Sequence, residues 1–267
     1  MKNTNIHNAD KTVSDYKNHN DLIDKQFGSQ ASLYLQSNVH ASGQEFALMA
    51  QQVEQFQQPT ILDLGCGAGH VSFNVAPLAQ KVIAYDLSKD MLNLVAKTAK
   101  EKGLNNIAIE KGIAESLPFA EDSFDMVISR FSAHHWQDVP QALKEVRRVC
   151  KPDAKVMIVD VMSPANPLYD SFLQTIEMLR DTSHVRDYSA AQWQAMFAYA
   201  GLEIQSMQTR KLVLDFASWI TRMRTPDHFV TSIRALQQGS SQDLKNYFDI
   251  QEDGSFTLDV VTFIASV

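Results

Sequence analysis

Ile61-Leu62-Asp63-Leu64-Gly65-Cys66-Gly67-Ala68-Gly69 is the stretch on which the reading of this chain turns. Three aliphatic residues around one acid make a short buried strand, and the glycines that follow end it. Glycine tolerates positive φ and lets a ligand approach the main chain closely, at the crevice beyond the carboxyl ends of the strands where open α/β sheets bind ligands. An amphipathic stretch over residues 70–79 follows, so strand, loop and helix form one unit.

The alternation continues outward from that unit. Residues 81–86 read as a second strand, and Ser88 is placed to cap a helix over 89–102 that Gly103 closes. Residues 107–110 and 124–129 make a third and a fourth strand, and a helix over 139–150 leads through Lys151-Pro152-Asp153 to a fifth at 155–160. Strands separated by helices predict right-handed crossovers and a mainly parallel sheet covered on both faces, an α/β doubly wound core. Upstream, Leu22, Phe27, Leu33, Tyr34 and Leu35, then Phe46, Met49, Val53 and Phe56, predict helix from about Asp21 to Phe56, ended by Pro59. The first twenty residues, rich in Asn, Asp, His and Lys, read as a mobile leader. Downstream of Pro164 the pattern predicts helices at 168–180 and 190–199, a strand at 202–208, further helix between 216 and 248, and a terminal strand at 256–265. No repeat or low-complexity linker interrupts the chain, so residues 21–267 are expected to form a single domain with its core at 58–160.

The 267 residues carry 24 Lys+Arg against 31 Asp+Glu, a net charge of −7 with the eight histidines neutral. Such acidity disfavours a phosphate-backbone binder, because that affinity comes from cationic groups displacing counterions. No stretch approaches the ~18 to 20 consecutive apolar residues of a membrane helix, and the N-terminus lacks an apolar signal segment. A cytoplasmic protein is expected. Cys66 and Cys150 form neither a Cys-x-x-Cys pair nor a disulfide framework, which fits a reducing compartment and argues against a cysteine-based zinc site.

A second acid, Asp86, ends the second strand, where a carboxylate suits both ribose hydroxyls of an adenosine. Two cofactor classes share this plan. A dinucleotide loop wants Gly-x-Gly-x-x-Gly, but here the third glycine comes one residue early and position 70 is His. Asp63 sharpens the choice: a carboxylate there would repel a pyrophosphate, whereas the ammonium and sulfonium of S-adenosylmethionine favour a nearby anion. S-adenosylmethionine is therefore expected over a nicotinamide dinucleotide. A purely structural strand-to-helix turn would not account for the two acids.

With these residues in view the chain resembles the class I S-adenosylmethionine-dependent methyltransferases, and more narrowly the type 11 group that includes the C-methyltransferases of ubiquinone and menaquinone biosynthesis. The resemblance covers about residues 27–160. It is carried by the glycine loop, by Tyr85-Asp86-Leu87-Ser88 with Met91, by Gly112-Ile113-Ala114-Glu115-Ser116-Leu117-Pro118-Phe119, and by Phe124-Asp125-Met126-Val127-Ile128-Ser129. Uncharacterised bacterial members share Phe27-Gly28-Ser29-Gln30-Ala31-Ser32 and Ser132-Ala133-His134-His135-Trp136. The resemblance implies a Rossmann-like sheet of seven strands with the last antiparallel, a helical cover at the N-terminus, and a helical insertion before the last strand. It also implies roles for single residues. Asp63 and Gly65 would hold the methionine end, Cys66 would be cofactor-binding in the same loop, and Gly67 would lie under the cofactor. Asp86 would bind the ribose, with Leu87 and Met91 against the adenine. Where the family usually has Gly-Asp-Ala-Glu, this chain has Ile113 in the Asp position, so adenine recognition falls to Ala114, Glu115 and apolar stacking. Ser129 and Arg130 would offer backbone carbonyls near the methionine amino group, and Tyr34 would lie on the helix that covers the cofactor.

The expected chemistry is methyl transfer to carbon or oxygen of a small molecule, which asks for alignment of the nucleophile and for no metal. His134 and His135, directly after the fourth strand, are the candidate bases if the acceptor must lose a proton. The alternative is that one of them caps or packs the loop while Trp136 is buried. Arg180, His184 and Arg186 fall among residues 161–255, where the acceptor pocket is expected, and the two arginines could grip an acidic acceptor. Ordinary helix-end and loop charges facing water are the alternative for them. A non-catalytic cofactor-binding sensor or assembly protein is the competing class.

Overall fold

The computed structural model describes residues 16–28 and 43–267. Tyr34 and the first part of the expected leader lie outside them. Among the described residues the first helix, α1 (His19–Gly28), begins two residues before the expected start, and α2 (Gln44–Val53) follows in the second half of the predicted helical region.

The core then alternates: β1 (Thr60–Leu64), α3 (His70–Val75), β2 (Lys81–Asp86), α4 (Lys89–Glu101), β3 (Ile107–Lys111), β4 (Phe124–Arg130), α5 (Val139–Val149) and β5 (Cys150–Met162). Ser88 caps α4 as expected, its hydroxyl accepting from Met91 N at 3.5 Å, and Asp138 caps α5 through Gln141 N at 2.9 Å. The helix expected over 70–79 gives way after Val75 to a single 3₁₀ turn at Ala76–Leu78, because Pro77 has no N–H for a continuing α-helix. β5 is longer than expected, starting at Cys150. Its ladder with β4 pairs Phe124 with Cys150 and next Met126 with Lys155, so the Lys151–Pro152–Asp153 turn is accommodated as an irregularity inside the strand.

The C-terminal third comprises α6 (Pro167–Arg180), α7 (Ala190–Ala200), β6 (Glu203–Leu214), α8 (Phe216–Met223), α9 (Asp227–Gly239), α10 (Gln242–Tyr247) and β7 (Phe256–Ser266). The seven strands lie in the order β3-β2-β1-β4-β5-β7-β6, with β7 antiparallel to both neighbours and the pairs among β1 to β5 parallel. This is the mainly parallel, doubly wound sheet expected. β6 runs six residues beyond its predicted end, since its exposed half alternates with charged residues and reads weakly from hydrophobicity.

Both faces of the sheet are covered. On one, Leu143, Val146, Trp193 and Phe197 of α5 and α7 pack on Leu62, Val127, Ile158 and Phe263. On the other, Met49, Val53, Val71 and Val75 of α2 and α3 meet Ile61, Met126, Met157 and Val260. A third cluster joins α6, α8, α9 and α10 through Phe172, Ile176, Trp219, Ile233, Leu244 and Phe248, and seals the far end of β6 and β7. β1 and β4 sit side by side at the centre, and their carboxyl ends open where the strand order reverses.

Candidate functional site

At that opening the β1–α3 loop folds back on β2. Gly65 N and Cys66 N both donate to Tyr85 O, at 2.8 and 3.0 Å, which ties the loop to the end of the neighbouring strand. Asp63, the last-but-one residue of β1, is fully buried, and its Oδ2 accepts from Ser72 N at 2.9 Å and from Ser72 Oγ at 2.6 Å. Its Oδ1 is buried with no partner. Burial, partly offset by the Ser72 hydrogen bonds, pushes the Asp63 carboxyl up to about 7. Asp86 at the end of β2 accepts from Gly67 N and Ser88 N, both at 2.8 Å, and burial raises its pKa despite those two bonds. Four lone-pair positions belong to a carboxylate, so two remain for further donors.

These groups edge a cavity of about 1000 Å³. Of the expected cofactor residues, Asp63, Gly65, Cys66, Gly67, Asp86, Leu87, Met91, Ala114, Glu115 and Arg130 all line it. Ser129 does not; it is buried behind the wall, its Oγ without a partner. Glu115 is partly committed, because its Oε1 accepts from Gln137 N at 2.8 Å and Asp138 N at 3.2 Å at the start of α5. Arg130 turns its guanidinium to Glu45 of α2, at 2.7 and 2.9 Å, between the rings of Phe46 and Phe131.

Several wall residues escaped the sequence reading. Ile23 and Phe27 of α1 cover the cavity, Tyr85 borders it while its hydroxyl donates to Ile113 O at 3.0 Å, and Ser132 accepts from Trp136 Nε1 at 3.1 Å. Phe131 is the most telling, for it holds a φ of 51° directly after β4. An aromatic residue in the left-handed region is strained, and such strain gathers at functional sites. No residue type announces it in the sequence.

Phe27, Phe131 and His135 are shared with a second cavity of about 590 Å³. Its walls add His134, Val161, Leu212, Leu214, Trp219 and Leu258, with Glu177, Arg180, Asp187 and Arg222 as the charged members. His134 Nδ1 lies 2.6 Å from Asp160 Oδ1. Burial would lower the imidazole pKa, but the charge and hydrogen bond of Asp160, with Asp187 and Glu177 behind, push it up to about 9. His135 behaves oppositely: burial and the charge of His134 push it down to about 4, its Nδ1 facing Ser183 O at 3.0 Å. The two candidate bases thus differ in environment, and of the two only His134 is held by a carboxylate at hydrogen-bond distance.

The acceptor candidates separate. Arg180 lines the second cavity, its Nε donating to Trp219 O at 3.1 Å and its guanidinium beside Glu177 at 3.4 Å. His184 is buried against Gln174, Nε2 to Oε1 at 2.9 Å, and burial pushes it down to about 2. Arg186 is occupied by Asp170 at 2.6 Å and lies outside both cavities. Of these two, His184 is buried and Arg186 is half-exposed, and neither lines either cavity.

The strand order with an antiparallel β7, the glycine loop between two acids and the cavity at the switch point define the Rossmann-like methyltransferase class. The methyltransferase domain family matches residues 62–158. The chain is 48% identical to the YafE protein of Escherichia coli over 74% of its own length and 95% of that protein, and 40% identical to the methyltransferase YcgJ of Bacillus subtilis over 75% and 79%. The crystal structure of YcgJ superposes with a TM-score of 0.79 over 83% of this chain and 97% of that one, at 36% identity. A demethylmenaquinone methyltransferase of Chlorobaculum parvum is 37% identical over 44% of this chain and 47% of its own. The chain belongs to this methyltransferase family and is an S-adenosylmethionine-dependent methyltransferase.

Proposed function

We propose that the protein transfers the methyl group of S-adenosylmethionine to carbon or oxygen of a small molecule seated in the second cavity, with His134 as the proton acceptor in its neutral form, whose share grows as pH rises toward about 9. The observation that carries this reading is the shared wall: Phe27, Phe131 and His135 border both cavities, and His134 lies on the far side of that wall, hydrogen-bonded to Asp160.

The cofactor cavity suits its ligand. Asp63 Oδ1, buried without a partner, is an anionic acceptor awaiting a donor, as an α-ammonium group would be. Asp86 has two lone-pair positions left for ribose hydroxyls, and Leu87, Met91 and Ile113 offer apolar surface to an adenine. When bound, S-adenosylmethionine supplies an electrophilic methyl group whose leaving group is a neutral thioether. The protein's part is then mostly positional. Phe27 and Phe131 give the shared wall an apolar surface, and rigid alignment of a nucleophile can supply roughly 7 to 11 kcal/mol of barrier reduction. Asp160 fixes the His134 ring, since its Oδ2 is itself held by Ala133 N at 2.9 Å and its Oδ1 by Val161 N at 2.8 Å.

Incubating the protein with isotope-labelled S-adenosylmethionine and a cell extract, followed by mass spectrometry, is expected to reveal one compound that gains a methyl mass. Binding of the cofactor with no product from any extract would instead favour a non-catalytic sensor. With that compound in hand, His134→Ala is expected to lower kcat about 10²- to 10⁴-fold, as loss of a general base does, with cofactor affinity nearly unchanged. A loss of cofactor affinity with kcat intact would remove the base role.

A further inference from the structure

Asp187 has no part in methyl transfer as described, yet it is the residue of the second cavity hardest to account for. It is 2% exposed, it lines the cavity, and its Oδ2 is buried with no hydrogen-bond partner. A charged carboxylate out of water is costly unless an opposite charge or donors satisfy it. Three of the cationic groups near it are engaged elsewhere. His184 Nε2 stands 4.0 Å from Oδ2 but is hydrogen-bonded to Gln174, Arg186 is paired with Asp170, and Arg180 with Glu177.

What Asp187 does face is the His134–Asp160 pair. Each of the three residues offers one ligand atom, and these atoms all lie within 4.8 Å of one another. They come from three separate stretches: the turn after β4, the end of β5, and the loop between α6 and α7. We propose that His134, Asp160 and Asp187 form a binding site for a divalent transition cation such as zinc or cobalt.

The donor set is one imidazole nitrogen with two carboxylate oxygens, a mixed N/O set that suits borderline cations better than the hard ions magnesium and calcium. Three protein ligands leave a coordination position open, the pattern of sites that also take a substrate or water. Because His134 and Asp187 both line the cavity, that position faces it and the ion reaches the cluster through it. The ligands are already oriented by groups behind them, as metal sites require. Asp160 is held by the backbone N–H groups of Ala133 and Val161, and the main chain at Asp187 is clamped by Gln174, whose Oε1 accepts from Asp187 N at 3.1 Å and whose Nε2 donates to Asp187 O at 2.8 Å. Both a proton and the cation need an imidazole lone pair. An ion held on the Asp160 side of His134 therefore withdraws the ring from proton transfer, and the cation is an inhibitor of the reaction proposed above. Only that consequence rests on the methyl-transfer reading; binding does not.

The test is a calorimetric titration of the full chain, stripped with a chelator, with zinc chloride and separately with cobalt chloride, the latter also followed by visible absorption. One equivalent is expected to bind, with ligand-field bands for cobalt, and Asp187→Asn and His134→Gln are each expected to weaken binding about tenfold or more. Retained S-adenosylmethionine binding by both variants establishes that they are folded. Absence of saturable binding, or equal affinity in wild type and both folded variants, overturns the site. Because no acceptor is used, failure to find a methylated product leaves this result standing, and failure to bind metal leaves methyl transfer standing.

Discussion

Replacing Gly65 with alanine is expected to weaken S-adenosylmethionine binding about a hundredfold. Gly65 holds a φ of +72°, a region that costs an L-residue roughly 1 to 2 kcal/mol. A Cβ there would also stand 1.9 Å from Ser132 Oγ and 2.6 Å from Ser132 Cβ. Ser132 cannot yield freely, since its hydroxyl accepts from Trp136 Nε1 and both residues border the cofactor cavity. Loop and wall must therefore part, and a combined loss of about 3 kcal/mol in the binding-competent arrangement corresponds to roughly two powers of ten. Gly103 supplies the control. It has nearly the same φ, +71°, with nothing within 4 Å of where a Cβ would stand, and it ends α4 away from the cavity. Gly103→Ala should lower thermal stability modestly and leave cofactor affinity unchanged by calorimetry. If Gly65→Ala binds as well as Gly103→Ala does, the close approach at Ser132 does not govern the site.

The contrast between these two glycines shows what a sequence carries and what it withholds. Gly65 was legible as a candidate-site residue, and it lines the first cavity, because a strand, a glycine run and an acid are contiguous, and local order of that kind survives folding unchanged. Asp86 was legible for the same reason, standing at the end of the next strand. The doubly wound sheet followed from alternating apolar and amphipathic stretches, each long enough to register its own period. What brings Ser132 against Gly65, or Asp160 and Asp187 to His134, is the return of β4, β5 and the α6–α7 loop to one end of the sheet. Sequence separations of 26 and 53 residues leave no periodic trace of such a meeting. Arg186 shows the converse: its type suggested an anion grip, and the fold brings it to Asp170 of α6 at 2.6 Å, a partner 16 residues away that no local pattern announces. A charge is readable from sequence, whereas its partner is a property of the fold.

The affinity for S-adenosylmethionine is expected to fall about tenfold for each pH unit below about 7. The sign follows from Asp63. Burial penalises its charged form, the two Ser72 hydrogen bonds offset only part of that penalty, and in the ligand-free protein the carboxyl is pushed up to about 7. A cationic ammonium at the unpartnered Oδ1 would favour the charged form and lower the pKa in the complex. The complex then holds fewer protons than the free protein, so protons compete with the cofactor below about 7 and cease to do so above it. Linkage to folding runs the other way: the raised pKa contributes stability in the ligand-free protein that is fully present below 3.8 and is lost as pH rises through about 7. At pH 7 about half of the Asp63 carboxyls are charged and unsatisfied, and the cofactor's ammonium would satisfy that form. Between pH 7, where the carboxyl is half protonated, and pH 5.5 the dissociation constant should rise roughly fifteenfold in calorimetric titrations. Asp63→Asn should bind weakly at every pH and lose most of that slope, retaining only what Asp86 contributes, because burial raises that carboxyl too and ribose hydroxyls would favour its charged form. An affinity that is flat across this window in the wild-type protein would mean that the ammonium does not sit at Asp63.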